Sequence, residues 1–142
     1  MSISIDLASK KVLIKIKGID KALLKNLRRG LYNVGAILRS TASKNILKRG
    51  RQGKVYRING RRHVASEAGE SWANVSGKAR RGLLFKVRGS KELLFGNDVP
   101  YVGFLEDGTR KMKARPAHLI AIKQNNKNII AIINSAVKKT LV

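Results

Sequence analysis

Polar and apolar residues alternate over residues 2–6 and again over residues 11–17, where Val12, Ile14 and Ile16 fall on one side and Lys11, Lys15 and Lys17 on the other. A period of two is that of a β-strand with one wet face, so two strands are expected, with Leu13 as the misfit in the second. After Gly18 the period changes. Ile19, Leu23, Leu27, Leu31, Val34, Leu38, Ala42 and Ile46 recur every three or four residues. At about 100° per residue these positions form one stripe, which predicts a long helix over residues 20–47 with Asp20 as its N-cap. Lys21, Lys25, Arg28, Tyr32 and Arg39 fall on the opposite side. Gly30 and Gly35 weaken such a helix by about 1 kcal/mol each relative to Ala. Close packing or a bend would explain them.

The next stretch, residues 48–74, opens with Arg49-Gly50-Arg51-Gln52-Gly53. It then places Asn59-Gly60 between two short β-like runs, Val55–Ile58 and Arg61–Val64. Asn-Gly between such runs is a strong hairpin signal. The whole stretch reads as an exposed basic arm. Further on, Leu83–Val87 and Glu92–Phe95 read as strands joined near Gly89-Ser90, and Ser76 as the cap of a helical turn at residues 77–81. Residues 100–105 read as a helical turn or a bend, and Asp107-Gly108 as a tight turn. Pro116 stands before a second long helix over residues 117–139, with Ile122, Ile129, Ile133 and Val137 at helical spacing and Ile130 beside them. The order β, long α, β-arm, β, α predicts a single α+β domain over residues 1–142. In it a long N-terminal helix and a C-terminal helix pack a small, mainly antiparallel sheet, and residues 48–74 form the basic arm.

Composition changes this picture chiefly through charge. Lys and Arg number 31 against 8 acids, for a net charge of +23 in 142 residues. Thirteen Lys/Arg and no acid lie between Lys21 and Ser66, whereas six of the eight acids fall between Glu67 and Asp107. Such a balance favours polyanionic partners and says little about fold. The absence of cysteine removes disulfides and thiolate metal sites and fits a reducing compartment. No apolar run is long enough to span a membrane, and the N-terminus lacks the apolar centre of a signal peptide. A soluble, intracellular protein is expected.

Little enzymatic chemistry is visible. His63 and His118 are the two histidines, and with few acids they offer no expected metal site. The carboxylate pairs Glu67/Glu70 and Glu106/Asp107 are expected to pair with the excess of Arg and Lys rather than to work as acid and base. No phosphate loop and no nucleophile elbow is present. The expectation is no enzyme, no cofactor and no metal. Tyr56 between Lys54 and Arg57 has the form of a stacking-plus-phosphate surface. Lys21, Lys25, Arg28, Arg39, Arg49, Arg51, Lys54, Arg57, Arg61 and Arg62 are the candidate contacts for DNA or an acidic partner. Trp72, the single tryptophan, is either a loop anchor folded onto the core or an interface residue.

Two stretches carry a resemblance. Residues 62–73, Arg-His-Val-Ala-Ser-Glu-Ala-Gly-Glu-Ser-Trp-Ala, continue through Val75-Ser76-Gly77-Lys78-Ala79-Arg80-Arg81. This resembles the "H-x-A-S-x-x-G-E-x-P-A … T-G-x-L-R" pattern of the head–tail joining proteins (neck and tail completion) of long-tailed double-stranded DNA bacteriophages. Residues 101–109, Tyr-Val-Gly-Phe-Leu-Glu-Asp-Gly-Thr, with Ala114-Arg115-Pro116-Ala117 after them, are similar to that family's "Y-A-x-x-x-E-x-G-T … A-R-P-F". Trp72 stands where the pattern has Pro, Ser76 where it has Thr, Ala79 where it has Leu, and Ala117-His118 where it has an aromatic residue.

The resemblance implies a virion structural protein at the neck or tail terminus. It would form a ring, commonly sixfold, that completes the tail and joins it to the head connector around the DNA path. Its partners would be itself, neighbouring neck and connector proteins, tail-tube proteins and, without sequence specificity, DNA; no membrane is involved. It would reside in the virion and, during assembly, in the host cytoplasm. Gly69, Glu70, Trp72, Gly77, Tyr101, Glu106, Gly108, Thr109, Arg115 and Pro116 are the positions expected to make the fold or the oligomer interface. Gly108 would supply a turn that a Cβ obstructs, with Thr109 hydrogen-bonding it. Gly69-Glu70 would turn the chain from the arm back to the body. Glu106 would pair with Arg110 or Arg115, within one subunit or across two, and Pro116 would open the last helix, where its missing N–H costs nothing. The rival from another class is a non-specific nucleic-acid-binding protein of nucleoid- or ribosome-associated type. It accounts for the charge more directly and leaves both motifs unexplained.

Overall fold

The computed structural model describes residues 2–8, 11–17, 23–48 and 51–141. Lys21, Arg49 and the expected cap Asp20 lie outside them. The order is β1 (Ser2–Ala8), β2 (Lys11–Lys17), α1 (Leu24–Ile46), β3 (Val55–Ile58), β4 (Arg61–Val64), α2 (Lys78–Arg81), β5 (Leu83–Arg88), β6 (Glu92–Asn97), α3 (Val102–Asp107) and α4 (Ala117–Leu141). The fold is α+β.

Strands β1, β2, β6 and β5, in that order, form one antiparallel sheet. The chain's first hairpin thus meets its β5–β6 hairpin along β2 and β6, with Val12 opposite Phe95 and Ile14 opposite Leu93. Phe85 lies opposite Phe95, and Val87 opposite Leu93. Directly opposed residues share a face. Leu83, Phe85 and Val87 therefore join Leu93 and Phe95 on the side that α1 covers.

Helix α1 lies between the sheet and α4. Its stripe is buried as its spacing predicts: Leu27, Leu31, Val34, Leu38, Ala42 and Ile46 are each at most 1% exposed. The two glycines face different neighbours. A Cβ on Gly35 would overlap the Phe85 ring, which itself meets Tyr32 edge-on at 5.1 Å. A Cβ on Gly30 would stand 3.4 Å from that of Ala136 in α4. Close approach accounts for Gly35, whereas a Cβ at Gly30 would make only ordinary van der Waals contact. Asn125 is buried in the helix pair and donates to Thr41 Oγ1 at 3.0 Å and to its own helix at Ala121 O. Helix α4 packs along α1 rather than on the sheet, and reaches β6 at its N-terminal end, where His118 meets the Phe95 ring at 5.1 Å.

The β3–β4 hairpin closes on Asn59 (φ 49°) and Gly60 (φ 76°). Two successive positive φ angles make the type I′ turn that matches strand twist, which is why Asn-Gly stands there. The exposed arm is shorter than residues 48–74. Ala65, Ser66, Ser71 and Trp72 are buried, so the chain rejoins the body from Ala65 onward.

Candidate functional site

The two motif-bearing segments, far apart in sequence, lie side by side. The Gly69 N–H donates to Ala114 O at 3.0 Å and the Trp72 N–H to Arg115 O at 3.2 Å. Between them sits the Glu106 carboxylate, 8% exposed. Its Oε1 accepts from Trp72 Nε1 at 2.9 Å, from the Ala117 N–H at 2.9 Å and from His118 Nδ1 at 3.1 Å. The His118 N–H reaches both carboxylate oxygens at 3.2 Å.

This geometry follows from the order of residues. Helix α4 begins at Ala117, directly after Pro116, and its first N–H groups have no partner within the helix. Glu106, at the end of α3, supplies the negative charge and the acceptors that a helix N-terminus favours. The expected pairing of Glu106 with Arg110 or Arg115 does not occur within the chain: the carboxylate points inward to the helix end, where His118 Nδ1 lies 3.1 Å from it. Pro116 precedes the helix rather than occupying its first turn.

Gly108 joins α3 to this unit with φ 79° and ψ −176°. A Cβ there would meet Met112 O at 2.6 Å and Ala114 N at 2.8 Å. Thr109 closes the following turn, its N–H on Met112 O at 2.7 Å and its Oγ1 accepting from the Lys111 N–H at 3.3 Å. Gly69 (φ 81°) is an exposed turn four residues after the chain has rejoined the body at Ala65. Trp72, 1% exposed, is a core anchor and not a surface residue. Gly77 is the left-handed residue before α2, and Tyr101 is the half-exposed residue before α3.

Arg51 stands apart from the other candidate contacts for DNA. Its side chain is 5% exposed and folds back on the end of α1. Nη2 donates to Asn45 O at 2.8 Å and Ile46 O at 3.3 Å, Nη1 to Ser71 O, and Glu70 Oε2 lies 3.6 Å from Nη1. A guanidinium fork satisfies carbonyls that a helix C-terminus leaves open. Burial lowers its pKa and Glu70 acts in the opposite direction. Glu70 also accepts from the Glu67 N–H at 3.0 Å. Arg51 is therefore unavailable to a phosphate. Among the described residues Arg51–Glu70 is the one ion pair of a Lys or Arg with a carboxylate. The general pairing expected of the carboxylates thus holds for Glu70 and not for Glu67, Glu106 or Asp107.

The remaining described basic candidates are exposed: Lys25, Arg28 and Arg39 on α1, and Lys54, Arg57, Arg61 and Arg62 on the hairpin. Lys54 Nζ sits 5.6 Å from the centre of the Tyr56 ring. Sequence reasoning missed two polar anchors. His118 was read only as a poor metal ligand, yet it is buried beside Glu106. Asn97, 2% exposed, ties β6 to α2 by donating to Ala79 O and accepting from the Val99 N–H. A polar residue in an apolar strand was the available signal for Asn97.

A cleft of about 460 Å³ opens between the hairpin, the loop after Trp72 and α3. Among the described residues no three His, Asp or Glu side chains gather as a metal site, and no helix is long and apolar enough to cross a membrane. Comparison with known proteins returns no matching family, no related characterised protein and no similar solved structure.

Proposed function

We propose that this chain is a structural subunit of a phage neck or tail terminus, assembling with copies of itself into a ring of six that completes the tail and joins it to the head connector around the DNA path. The observation that carries this reading is the joining of the two motif segments through Trp72 and Glu106. Residues that resemble one family at two separate places serve one structural unit, and that unit leaves Tyr101 and Phe104 exposed beside it at 43% and 63%. Work here means interface formation, not turnover. Neighbouring copies, connector proteins and tail-tube proteins are the partners, and the exposed arginines of the hairpin face DNA or acidic protein.

Negative-stain electron microscopy of the concentrated protein at moderate salt tests the reading. Rings with a central hole are expected. Particles that stay single up to the highest soluble concentration, and in the presence of tail tubes, refute it. A second reading, a non-specific nucleic-acid binder, is favoured by the Lys54–Tyr56 pairing and the free arginines of the hairpin. It requires duplex affinity that falls steeply with salt and no ring.

A further inference from the structure

Four of the nine large apolar side chains that stand exposed among the described residues rim one cleft. They are Tyr56 and Ile58 of the hairpin, Val75 of the loop after Trp72, and Tyr101 before α3, at 38–54% exposure. Apolar side chains scattered singly need no explanation, but a cluster around a concavity does. The cleft is of the size that holds a ligand.

The polar groups of its lining make the second observation. Ser66 is 2% exposed and its Oγ has no hydrogen-bond partner. Arg115 Nε and Asn74 Oδ1 are likewise buried and unpartnered. All three residues line the cleft. A buried polar atom without a partner is costly, so three in one place call for an explanation. Arg115 matters most, because its side chain has neither a hydrogen bond nor an ion pair among the described residues. Arg51, by contrast, sets both of its terminal nitrogens on backbone carbonyls.

We infer that this cleft is a docking groove for an apolar segment of a different protein, one that carries an acidic side chain which Arg115 receives. Three features select that occupant. Arg115 Nε–H calls for an acceptor, and a carboxylate is the strongest a protein offers. Asn74 Oδ1 calls for a donor, which a peptide N–H supplies and a phosphate does not. The aliphatic rim of Ile58 and Val75 rewards burial of apolar side chains. A second copy has few acids to offer this cleft, eight in all, of which Glu70 and Glu106 are already engaged within the chain.

The hairpin is the wall that yields to admit the segment. Its strands are largely exposed and pack against no other helix or strand beyond incidental contact, and its base is held by the Ala65 N–H on Lys54 O at 3.0 Å. This inference goes beyond the ring reading and does not rest on it.

The test is selection of a random twelve-residue peptide library on the immobilised full chain, followed by titration of the synthesised consensus peptide. Trp72 lines the cleft and is the single tryptophan, so its fluorescence reports occupancy. A consensus with one Asp or Glu among apolar residues is expected. Arg115→Gln, and the amide form of the peptide, should each weaken binding about tenfold or more, and the two losses should not add. Ile58→Ser, at an exposed rim position, should weaken binding without touching the fold, and serves if Arg115→Gln does not fold.

The inference is overturned by any of several results. One is the absence of a consensus. Another is a consensus without an acid, or one whose binding ignores both variants. Acid-rich peptides released by salt alone would mean attraction to the basic surface only. A consensus matching this chain's own sequence would make the occupant a second copy. Displacement of the peptide by oligo(dT) with loss at the same variants would make it a nucleic acid.

Discussion

Replacing Glu106 by Ala removes the one carboxylate on which four donors converge: Trp72 Nε1, the N–H groups of Ala117 and His118, and His118 Nδ1. Trp72, Ala117 and His118 are each at most 2% exposed, so water cannot replace the lost acceptor without opening the core. Each orphaned buried donor costs about 1–3 kcal/mol, more where the lost acceptor is charged. These costs overlap, and a total of about 4 kcal/mol is expected. A domain of this kind is stable by only about 5–15 kcal/mol, so the variant sits near the threshold of folding.

Glu106→Gln keeps one acceptor but turns an NH2 group toward donors and removes charge from the helix N-terminus. About 2 kcal/mol is expected for it. Urea unfolding followed by Trp72 fluorescence measures both. With a slope of roughly 2 kcal/mol per M, the Ala variant should lose about 2 M in midpoint at unchanged slope. Trp72→Phe combined with Glu106→Ala, with all members of the cycle followed by far-ultraviolet circular dichroism because Trp72 is the single tryptophan, should cost clearly less than the sum of the two, because both remove one hydrogen bond. A Glu106→Ala change within about 0.5 kcal/mol of the parent, the range of an ordinary surface substitution, would refute the argument. So would strict additivity with Trp72→Phe.

Arg51→Ala should destabilise by about 2–3 kcal/mol in the same assay, because it strips Asn45 O, Ile46 O and Ser71 O of a charged donor. Arg51→Lys should recover only part, since an ammonium cannot fork across several carbonyls. If Arg51→Ala instead lowered DNA affinity and left stability intact, the helix-end role would be wrong. Gly108→Ala places a Cβ 2.6 Å from Met112 O at a φ of 79°, and a loss of about 3 kcal/mol or failure to fold is expected. A variant as stable as the parent would contradict that geometry. Amides of residues 51–64 should exchange quickly with deuterium in the free protein and slowly in the ring; equal protection in both would remove the arm from the interface.

Much of the fold was legible because it is local. The alternation of Val12, Ile14 and Ile16, the stripe from Leu27 to Ile46 and the Asn59-Gly60 turn each record a backbone period or a φ requirement in residues that are neighbours in sequence. The site was legible only in part. Gly108 could be singled out because a positive φ excludes other residues whatever surrounds it. The partner of Glu106 could not, since acids and bases pair by position in space, and the sequence offered Arg110 and Arg115 nearer than Trp72. Arg51 misled for the same reason: within a run of basic residues nothing local distinguishes the one that folds back on a helix end.

Strands, helices, turn positions and an excess of positive charge with few acids to pair it were thus set by the sequence alone, because each depends on a residue and its immediate neighbours. The placement of α4 on α1, the union of the two motif segments at Glu106, the burial of Trp72 and Arg51, and the cleft with its unpartnered Arg115 were decided by tertiary packing. Each is a match between surfaces that come together only when the chain has closed. The choice among candidate partners then follows from which buried donors and acceptors must be satisfied, and that is a property of the assembled core rather than of any segment.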